Sequence, residues 1–492
     1  MDFFCIRQAD FSLTVCRQYK SNILNLTNNP MLYQTTKLLL TDQITDQTRD
    51  VFVLLCHEAN NLWNTVVYQI RQAHFATCEF REFFDKNDCF RRQFKDKKVK
   101  VSYPQLCNDF KDNPHYQWLG AQQGQQLLKS VEEAFKSYNE LLEMWFEGEL
   151  DHKPKLPSYR TKGGLCGFTF PSDGLRFNYE ESSWLLPMSR IIKQHWEKGK
   201  KEEFSIPSVS YIDETNISEI RILPQHGKIW AELVYKVEEK VATDLDDSQA
   251  LGCDPGVNNL LTCVSTLGKS FIVDGHKIKG ANAKYNKTVA KYKQGKSDLY
   301  WDEYLDELTH KRSCFMRDAV NKTARLIINY CLNHRIGNIV FGWGKGVKTN
   351  CNLGSKNNQN FVQIPTARLK NRIKELAESV GINFTETEES YTSRSSYLDN
   401  DCLPVFGGEK LANWKASGKR VKRGLYQTAQ GFFINADCNG AANILRKVST
   451  QLGLTLAEVC RECLSVPKRY DIFSSLKKSY RRREETRFNL VS

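Results

Sequence analysis

The chain has 492 residues, of which 40% are hydrophobic and 26% are charged, as in an ordinary globular protein of two to four packed units. No apolar stretch approaches the roughly 18 residues that a membrane span requires, which excludes a membrane partner. Lys and Arg outnumber Asp and Glu by 70 to 57, a net charge of +13. Because basic side chains that neutralise phosphates release counterions, this balance favours a nucleic-acid partner over a merely well-solvated surface.

The 16 cysteines are scattered along the chain. The first residues carry no basic segment followed by an apolar run, so they do not predict a signal peptide. Without export, the thiols should stay reduced, most of them as small buried side chains. We therefore expect a cytoplasmic protein if the source is prokaryotic and a nuclear one if it is eukaryotic.

The first half of the sequence predicts a β unit that encloses or flanks a helical one. Residues 1–30 have weak periodicity and predict a loosely ordered extension. A strand over 35–41 precedes a helix from Thr48, where apolar residues recur at three- and four-residue spacing, and a second helix over 121–146. Short runs with period-two alternation, separated by turns, then predict strands over 167–240.

Residues 80–100 are rich in phenylalanine and basic side chains but lack a clean period. Such a stretch could stack on bases or follow a phosphate backbone. It could equally form a helix that packs its phenylalanines inward. The sequence leaves both alternatives open.

From Ala250 the pattern changes to alternating strands and helices, which is typical of an α/β domain. The predicted strands are 251–265, 269–275, 338–342 and 382–389, and the predicted helices are 280–293, 300–333, 367–381 and 435–447. A basic run at 477–487 predicts a frayed tail, or one that lies on nucleic acid.

Two aspartates in this half are candidate metal ligands. Cleaving a phosphodiester with two metal ions requires carboxylates that converge on one point, since Mg²⁺ prefers oxygen ligands. Asp254 lies among apolar residues of a strand, where a charge is costly unless it is paired or bound to a metal, although a simple strand-end turn is an equal alternative. Asp437 begins a helix, so taken alone it is better explained as an N-cap.

Together, these motifs resemble those of a known family. The patterns around Asp254 and Asp437, G-x-D-x-G-x-x-N-L and N-A-D-x-N-G-A-x-N-I, resemble the first and third RuvC motifs of TnpB proteins. TnpB proteins are transposon-encoded, RNA-guided DNA nucleases and relatives of type V CRISPR effectors. Further matching segments are SFIVDGHKIKGANAKYNK (270–287), NNQNFVQIP (357–365), EESYTSRSSYLDND (388–401) and GKRVKRGLY (418–426).

The resemblance implies a multidomain fold of α/β and α+β type. It predicts an RNase H-like (RuvC) nuclease domain, an N-terminal β-barrel wedge domain, and a helical recognition domain inserted into that barrel. The boundaries that follow are an extension at 1–30, wedge strands at 31–46 and 156–246, a recognition domain at 47–155, the nuclease at 247–450 and a basic tail at 451–492.

The resemblance also implies partners and cofactors. The expected partners are a guide RNA derived from the transposon end and double-stranded target DNA, with the protein a monomer on its RNA. Two Mg²⁺ ions, for which Mn²⁺ should substitute, would be held by Asp254, Asp437 and a glutamate. The alternatives are a cleavage-dead RNA-guided DNA binder that acts as a repressor or targeting factor, and a compact type V CRISPR effector.

The position of the expected third ligand, a glutamate, departs from the family pattern. The family usually carries it after the central strand, where this chain has Gly342. Some members of the superfamily instead carry a glutamate on a later strand, just before a Y-T-S motif, and Glu388 and Glu389 occupy that place. Adjacent strand residues face opposite sides, so only one of them should reach the metals. We favour Glu389, with Glu388 second, and two ordinary solvated charges as the alternative.

Two further features concern the segment between these motifs. The family often has a zinc ribbon of two C-x-x-C pairs, but 393–401 reads SRSSYLDND and no second pair precedes Asp437, so no structural zinc is predicted. The one C-x-x-C, Cys460 to Cys463, is better explained as a structural pair of thiols. A basic run beside a carboxylate cluster favours phosphate binding over a solvated face, and its members are Lys419, Arg420, Lys422 and Arg423.

Overall fold

The structure is a computed structural model. It describes residues 31–474 apart from 42, 85–88, 151, 198–202, 239–241, 243, 345–363 and 405–413. The predicted extension at 1–30, the basic run at 477–487 and most of the NNQNFVQIP motif therefore lie outside the described residues. In the described part of the chain, no helix has the length and apolar character that crossing a membrane requires.

The first half of the chain contains long helices and short antiparallel strands. Its elements are β1 (Met31–Leu39), α1 (Asp46–Ala76), β2 (Phe80–Phe84), β3 (Phe90–Phe94), α2 (Tyr103–Phe110), α3 (Pro114–Leu119), α4 (Ala121–Phe146), β4 (Phe168–Pro171), β5 (Arg176–Asn178), β6 (Ser183–Leu186), α5 (Arg190–His195), β7 (Phe204–Pro207), β8 (Ile217–Gln225) and β9 (Lys228–Glu238).

The strands of this half form open sheets. One has the order β1-β9-β8-β4 and another the order β5-β6-β7. The expected closed β-barrel is therefore wrong for the described residues. A barrel closes only when its edge strands hydrogen-bond to each other, whereas β1 pairs with β9 and β4 pairs with β8. Helices α1 and α4 instead cover this sheet, and Phe52 of α1 packs edge-on against Phe168 of β4.

The second half alternates strands and helices, as predicted. Its elements are β10 (Asp246–Pro255), β11 (Asn259–Ser265), β12 (Lys269–Asp274), α6 (His276–Tyr292), α7 (Glu303–Asn333), β13 (Ile336–Gly342), α8 (Thr366–Glu378), β14 (Asn383–Thr387), β15 (Lys419–Lys422), β16 (Leu425–Gln427), β17 (Phe433–Asn435), α9 (Ala436–Val448), α10 (Arg461–Ser465) and β18 (Lys468–Tyr470).

A six-stranded sheet of order β14-β13-β10-β11-β12-β18 is the centre of this half. Helices α7 and α8 pack on one face and α9 on the other, so the sheet is buried between two helical layers. Strands β10, β13 and β14 run parallel, which brings their carboxyl ends to one edge. Residues 461–470, which the sequence analysis assigned to the tail, contribute α10 and β18 to this domain.

Two glycines let α9 lie unusually close to the sheet. A Cβ atom on Gly252 of β10 would stand 2.8 Å from the carbonyl oxygen of Ala441, and one on Gly342 of β13 would stand 2.5 Å from Cδ1 of Ile444. Backbone and helix side chains therefore fill the space that a side chain would need. This close approach brings the start of α9 over the carboxyl ends of the strands.

Candidate active site

Asp254 lies at the carboxyl end of β10, opposite Thr262 of β11. It keeps some solvent contact, but its carboxyl group is densely surrounded by protein atoms. This desolvation raises the pKa of Asp254 well above its ordinary value, and the negative charges of Glu389 and Asp437 raise it further, while Arg420 opposes them. Three carboxylates from distant parts of the sequence thus act on one another at this edge of the sheet.

Asp437 is not the N-cap of its helix. The cap of α9 is Asn435, whose Oδ1 accepts hydrogen bonds from the backbone N–H groups of Asp437 and Cys438. The Asp437 side chain points elsewhere: Oδ2 accepts from Nδ2 of Asn259 at 2.6 Å, and Oδ1 accepts from the Arg420 guanidinium at 2.7 Å. The simpler explanation of Asp437 as a cap is therefore wrong.

The two glutamates have different surroundings. Strand β14 ends at Thr387, so both glutamates follow the strand and the alternation of strand faces does not separate them. The two glutamates differ in their contact with Lys447 of α9. Its ammonium group donates to Oε1 of Glu388 at 2.6 Å and to the carbonyl oxygen of Ser390 at 2.9 Å. The charge that acts on Asp254 is that of Glu389.

Gly342 cannot be replaced by the family's usual glutamate without rearrangement. Its Cβ position is blocked by Ile444 of α9, as described above. Gly342 also pairs with Thr387 across β13 and β14, two residues before Glu389. The neighbouring strand therefore brings a glutamate to the edge at which the central strand has no room for one.

Two buried asparagines of α9 hold the loop that follows Glu389. Nδ2 of Asn443 donates to the carbonyl oxygens of Thr392 and Ser395 at 2.9 and 2.8 Å. Asn439 donates to Ser395 and accepts from the N–H of Tyr397. The sequence analysis quoted both motifs but gave these residues no role. Two asparagines four residues apart on a helix face that is otherwise apolar were the available signal.

We expect Asn443→Ala to lower the free energy of unfolding by about 1–3 kcal/mol, because the buried Thr392 carbonyl group loses this donor and the Ser395 carbonyl group loses one of two. Thermal unfolding of the purified variant measures this. The matched control is Asn383→Ala on the surface of β14, whose amide donates to Oδ1 of Asp247 at 3.3 Å and which we expect to change stability by less than about 0.5 kcal/mol. An Asn443 variant as stable as this control would contradict the assigned role.

The oxygen ligands at this edge fit a hard divalent cation in chemistry. As the side chains stand, no group of three acidic, histidine or cysteine residues in the described ranges is arranged to hold a metal ion. Both Asp437 oxygens are instead engaged by the donors Asn259 and Arg420. Asp254, Glu389 and Asp437 could hold a metal once Asp437 exchanges these donors for it.

The basic run lies beside the carboxylates. Lys419, Arg420 and Lys422 form β15, and Arg423 follows in the turn to β16; all four are exposed. The small sheet β15-β16-β17 leads directly into α9. Arg420 is the member that reaches the carboxylates, through its ion pair with Asp437.

Two aspartates that accept several hydrogen bonds, Asp399 and Asp401, lie in the segment where the resemblance would place a zinc ribbon. Oδ2 of Asp399 accepts from the Ser396 hydroxyl at 2.6 Å and from the N–H of Ala429 at 2.7 Å. Oδ2 of Asp401 accepts from the N–H groups of Ser396 and Ser417 at 2.7 and 3.1 Å. These carboxylates join three segments of chain that precede α9.

Part of the chain matches a known family. Residues 232–348 match the model of the OrfB_IS605 family, described as a probable transposase, which is the family of TnpB. The predicted resemblance to TnpB proteins is confirmed. None of the curated proteins compared with the chain matches it.

Three solved structures are similar to the chain to different degrees. The cryo-EM structure of a Cas12f1–sgRNA–target DNA complex is 14% identical to the chain, with a TM-score of 0.50 over 81% of this chain and 83% of that one. A CRISPR-Cas12f ternary complex is also 14% identical, with a TM-score of 0.30 over 81% and 82%. The mini-RNA-guided endonuclease CRISPR-Cas_phi3 is 9% identical, with a TM-score of 0.38 over 85% and 92%. The first comparison shows a shared multidomain α/β fold.

Proposed function

We propose that this TnpB-like chain is a metal-dependent, RNA-guided DNA endonuclease. The observation that carries the proposal is the convergence of Asp254, Glu389 and Asp437 at the carboxyl ends of parallel strands. A desolvated carboxylate that two others repel is costly in a resting protein and is explained by a cation that binds there. In this proposal residues 247–450 form the core of a RuvC-type, RNase H-like nuclease.

The partners in this proposal are a guide RNA from a transposon end and double-stranded DNA. The net charge of +13 suits both, and the Cas12f1 structure that shares the fold is a complex with guide RNA and target DNA. Pairing of guide with target would read sequence, while the protein would read a short motif beside the target. The first half would supply the wedge and recognition domains, on a monomer that acts in the cytoplasm or, in a eukaryote, the nucleus.

In the proposed mechanism Asp254, Glu389 and Asp437 hold Mg²⁺ or Mn²⁺. The bound ions would lower the pKa of a water and stabilise the leaving oxygen. Arg420 would leave Asp437 and move to a phosphate, because its guanidinium suits either anion. Lys419, Lys422 and Arg423 would bind neighbouring phosphates, and Lys447 would keep Glu388 away from the metal ligands.

Two other functions remain open. Gly342, where the family has its usual glutamate, favours a guided DNA binder that does not cleave. A compact type V effector would share the chemistry and differ in the source of its RNA. A repeat array beside the gene would favour that second alternative.

The test is to express the chain with RNA from its own genomic flanks and purify the complex. Incubated with Mg²⁺, it should linearise a plasmid that carries the matching target beside a randomised flanking sequence. Cleavage should stop in EDTA and return with Mn²⁺. A complex that retains guide RNA and binds its target but never cuts in either metal would contradict the nuclease proposal.

A further inference from the structure

The hairpin β2–β3 has an aromatic face. The register pairs Phe80 with Phe94, Glu82 with Arg92 and Phe84 with Phe90, so these six side chains share one face. The opposite face carries Arg81, Phe83, Arg91 and Gln93. The alternative that this stretch forms a helix with its phenylalanines inward is therefore wrong.

The four phenylalanine rings on this face form two pairs, and Arg92 lies between the pairs. Phe84 and Phe90 meet near the turn, with ring centres 5.8 Å apart, and Phe80 and Phe94 meet at the other end, 5.6 Å apart. The guanidinium carbon of Arg92 stands 5.0 Å from the Phe80 ring and 6.0 Å from the Phe90 ring. The two pairs are four positions apart along the strand, about 13 Å.

The end of the hairpin near α1 is anchored, while the end near the turn is exposed. The Phe94 ring packs against Phe75 of α1, with ring centres 4.7 Å apart and ring planes tilted by 39°. Phe84 and Phe90 are 68% and 53% exposed, values that are high for phenylalanine. A two-stranded hairpin is marginally stable in water by itself, so an exposed cluster of rings on one requires an explanation other than folding.

We propose that this aromatic face binds unpaired bases of nucleic acid. The flat rings offer stacking surfaces that accept any base, and Arg92 adds a guanidinium plane between them. Residues 79–100 carry eight basic side chains against five acidic ones, a positive excess that suits a phosphate backbone. The inference uses the nucleic-acid partner of the proposed function and does not depend on cleavage.

Nucleic acid fits this face better than a protein partner does. The centre of a protein interface is typically depleted of charged residues. Here the Glu82–Arg92 ion pair, with Nε to Oε1 at 2.8 Å, lies in the middle of the face. Glu82 and Arg92 neutralise each other, and the other charged side chains of the two strands, Arg81 and Arg91, are positive.

Photocrosslinking of the full chain tests the assignment directly. The probes are 20-nucleotide RNA and DNA single strands that carry 5-iodouracil, and a 20-base-pair duplex of the same sequence, in buffer without divalent metal. We expect crosslinks from the single strands to Phe84 or Phe90, mapped by mass spectrometry, and none there from the duplex. Preference for the RNA or the DNA strand would identify which of the two supplies the bases.

Substitutions make the test quantitative. Phe84→Ala with Phe90→Ala should weaken binding of the preferred single strand about tenfold or more, and Phe84→Trp with Phe90→Trp should restore it. The matched control is Phe83→Ala on the opposite face, which should bind like the wild type. Crosslinks confined to other regions, an equal loss in the Phe83 variant, or a folded alanine variant that instead loses self-association would overturn the proposal. Strand binding is measured without divalent metal, so this test stays informative if the chain never cleaves a guided target.

Discussion

Asp254→Asn should abolish cleavage and at the same time make the metal-free protein more stable. The carboxyl group is desolvated and lies within the field of Glu389 and Asp437, so its charge opposes folding. Asparagine keeps the shape and removes the charge. Losing this proposed metal ligand should cost several kcal/mol of transition-state stabilisation, a decrease of at least about 1,000-fold in cleavage rate.

The gain in stability should depend on pH. The pKa of Asp254 is higher in the folded protein than in the unfolded chain. The contribution of Asp254 to the free energy of unfolding of the wild type should therefore be highest at low pH and should decrease as the pH rises from about 4 through the folded pKa. The difference in unfolding free energy between Asp254→Asn and wild type should therefore increase over that range. Urea unfolding in EDTA at several pH values measures it.

The matched control lies on the same strand. Asp246 is exposed at the start of β10, and hydrogen bonds from Ser248 lower its pKa. Asp246→Asn should keep full cleavage activity, and its small effect on stability should have the opposite sign. If Asp254→Asn instead destabilises the metal-free protein at neutral pH, the carboxyl group is held by favourable contacts and our account of its electrostatics is wrong.

Glu389→Gln should abolish cleavage, whereas Glu388→Gln should leave the complex active. Glu389 acts electrostatically on Asp254 and follows the carboxyl end of β14, while Glu388 is held by Lys447 at 2.6 Å. A lost metal ligand again predicts a decrease of about 1,000-fold in rate. Cleavage of a guided plasmid by each variant, at equal RNA occupancy, is the measurement.

Each variant also has a distinct effect on stability. The Lys447 side chain is only 9% exposed, so Glu388→Gln weakens a largely buried charged contact and should cost about 1–3 kcal/mol. Glu389→Gln removes a repulsion from Asp254 and should not destabilise the protein. An inactive Glu388 variant beside an active Glu389 variant would reverse the assignment.

Sequence periodicity predicted best the elements whose buried side chains recur within one short stretch of sequence. The apolar stripe of α4 gave the bounds 121–146 that the structure shows, and the strand that carries Asp254 was recognised from its apolar residues. The hairpin β2–β3 was missed because both of its faces are exposed and because Phe83 and Phe84, adjacent in sequence, break the period-two pattern. An exposed strand has no buried face to impose a pattern on the sequence.

The candidate site was predicted only in part, since its geometry depends on tertiary packing. The two aspartates stood out through their motifs, but the choice between Glu388 and Glu389 rests on Lys447, which is 58 and 59 residues away in sequence. The reason that Gly342 carries no carboxylate is the approach of Ile444 from another element. No single stretch of sequence contains either relationship.

The most direct test of the central claim measures binding and cleavage of one guided target side by side. The RNA complex of wild type and that of Asp254→Asn would each be mixed with target DNA in Mg²⁺. We predict equal binding by both proteins, with cleavage by wild type alone. Tight, guide-dependent binding by wild type without cleavage at any Mg²⁺ or Mn²⁺ concentration would contradict the account and identify the chain as a guided DNA-binding protein.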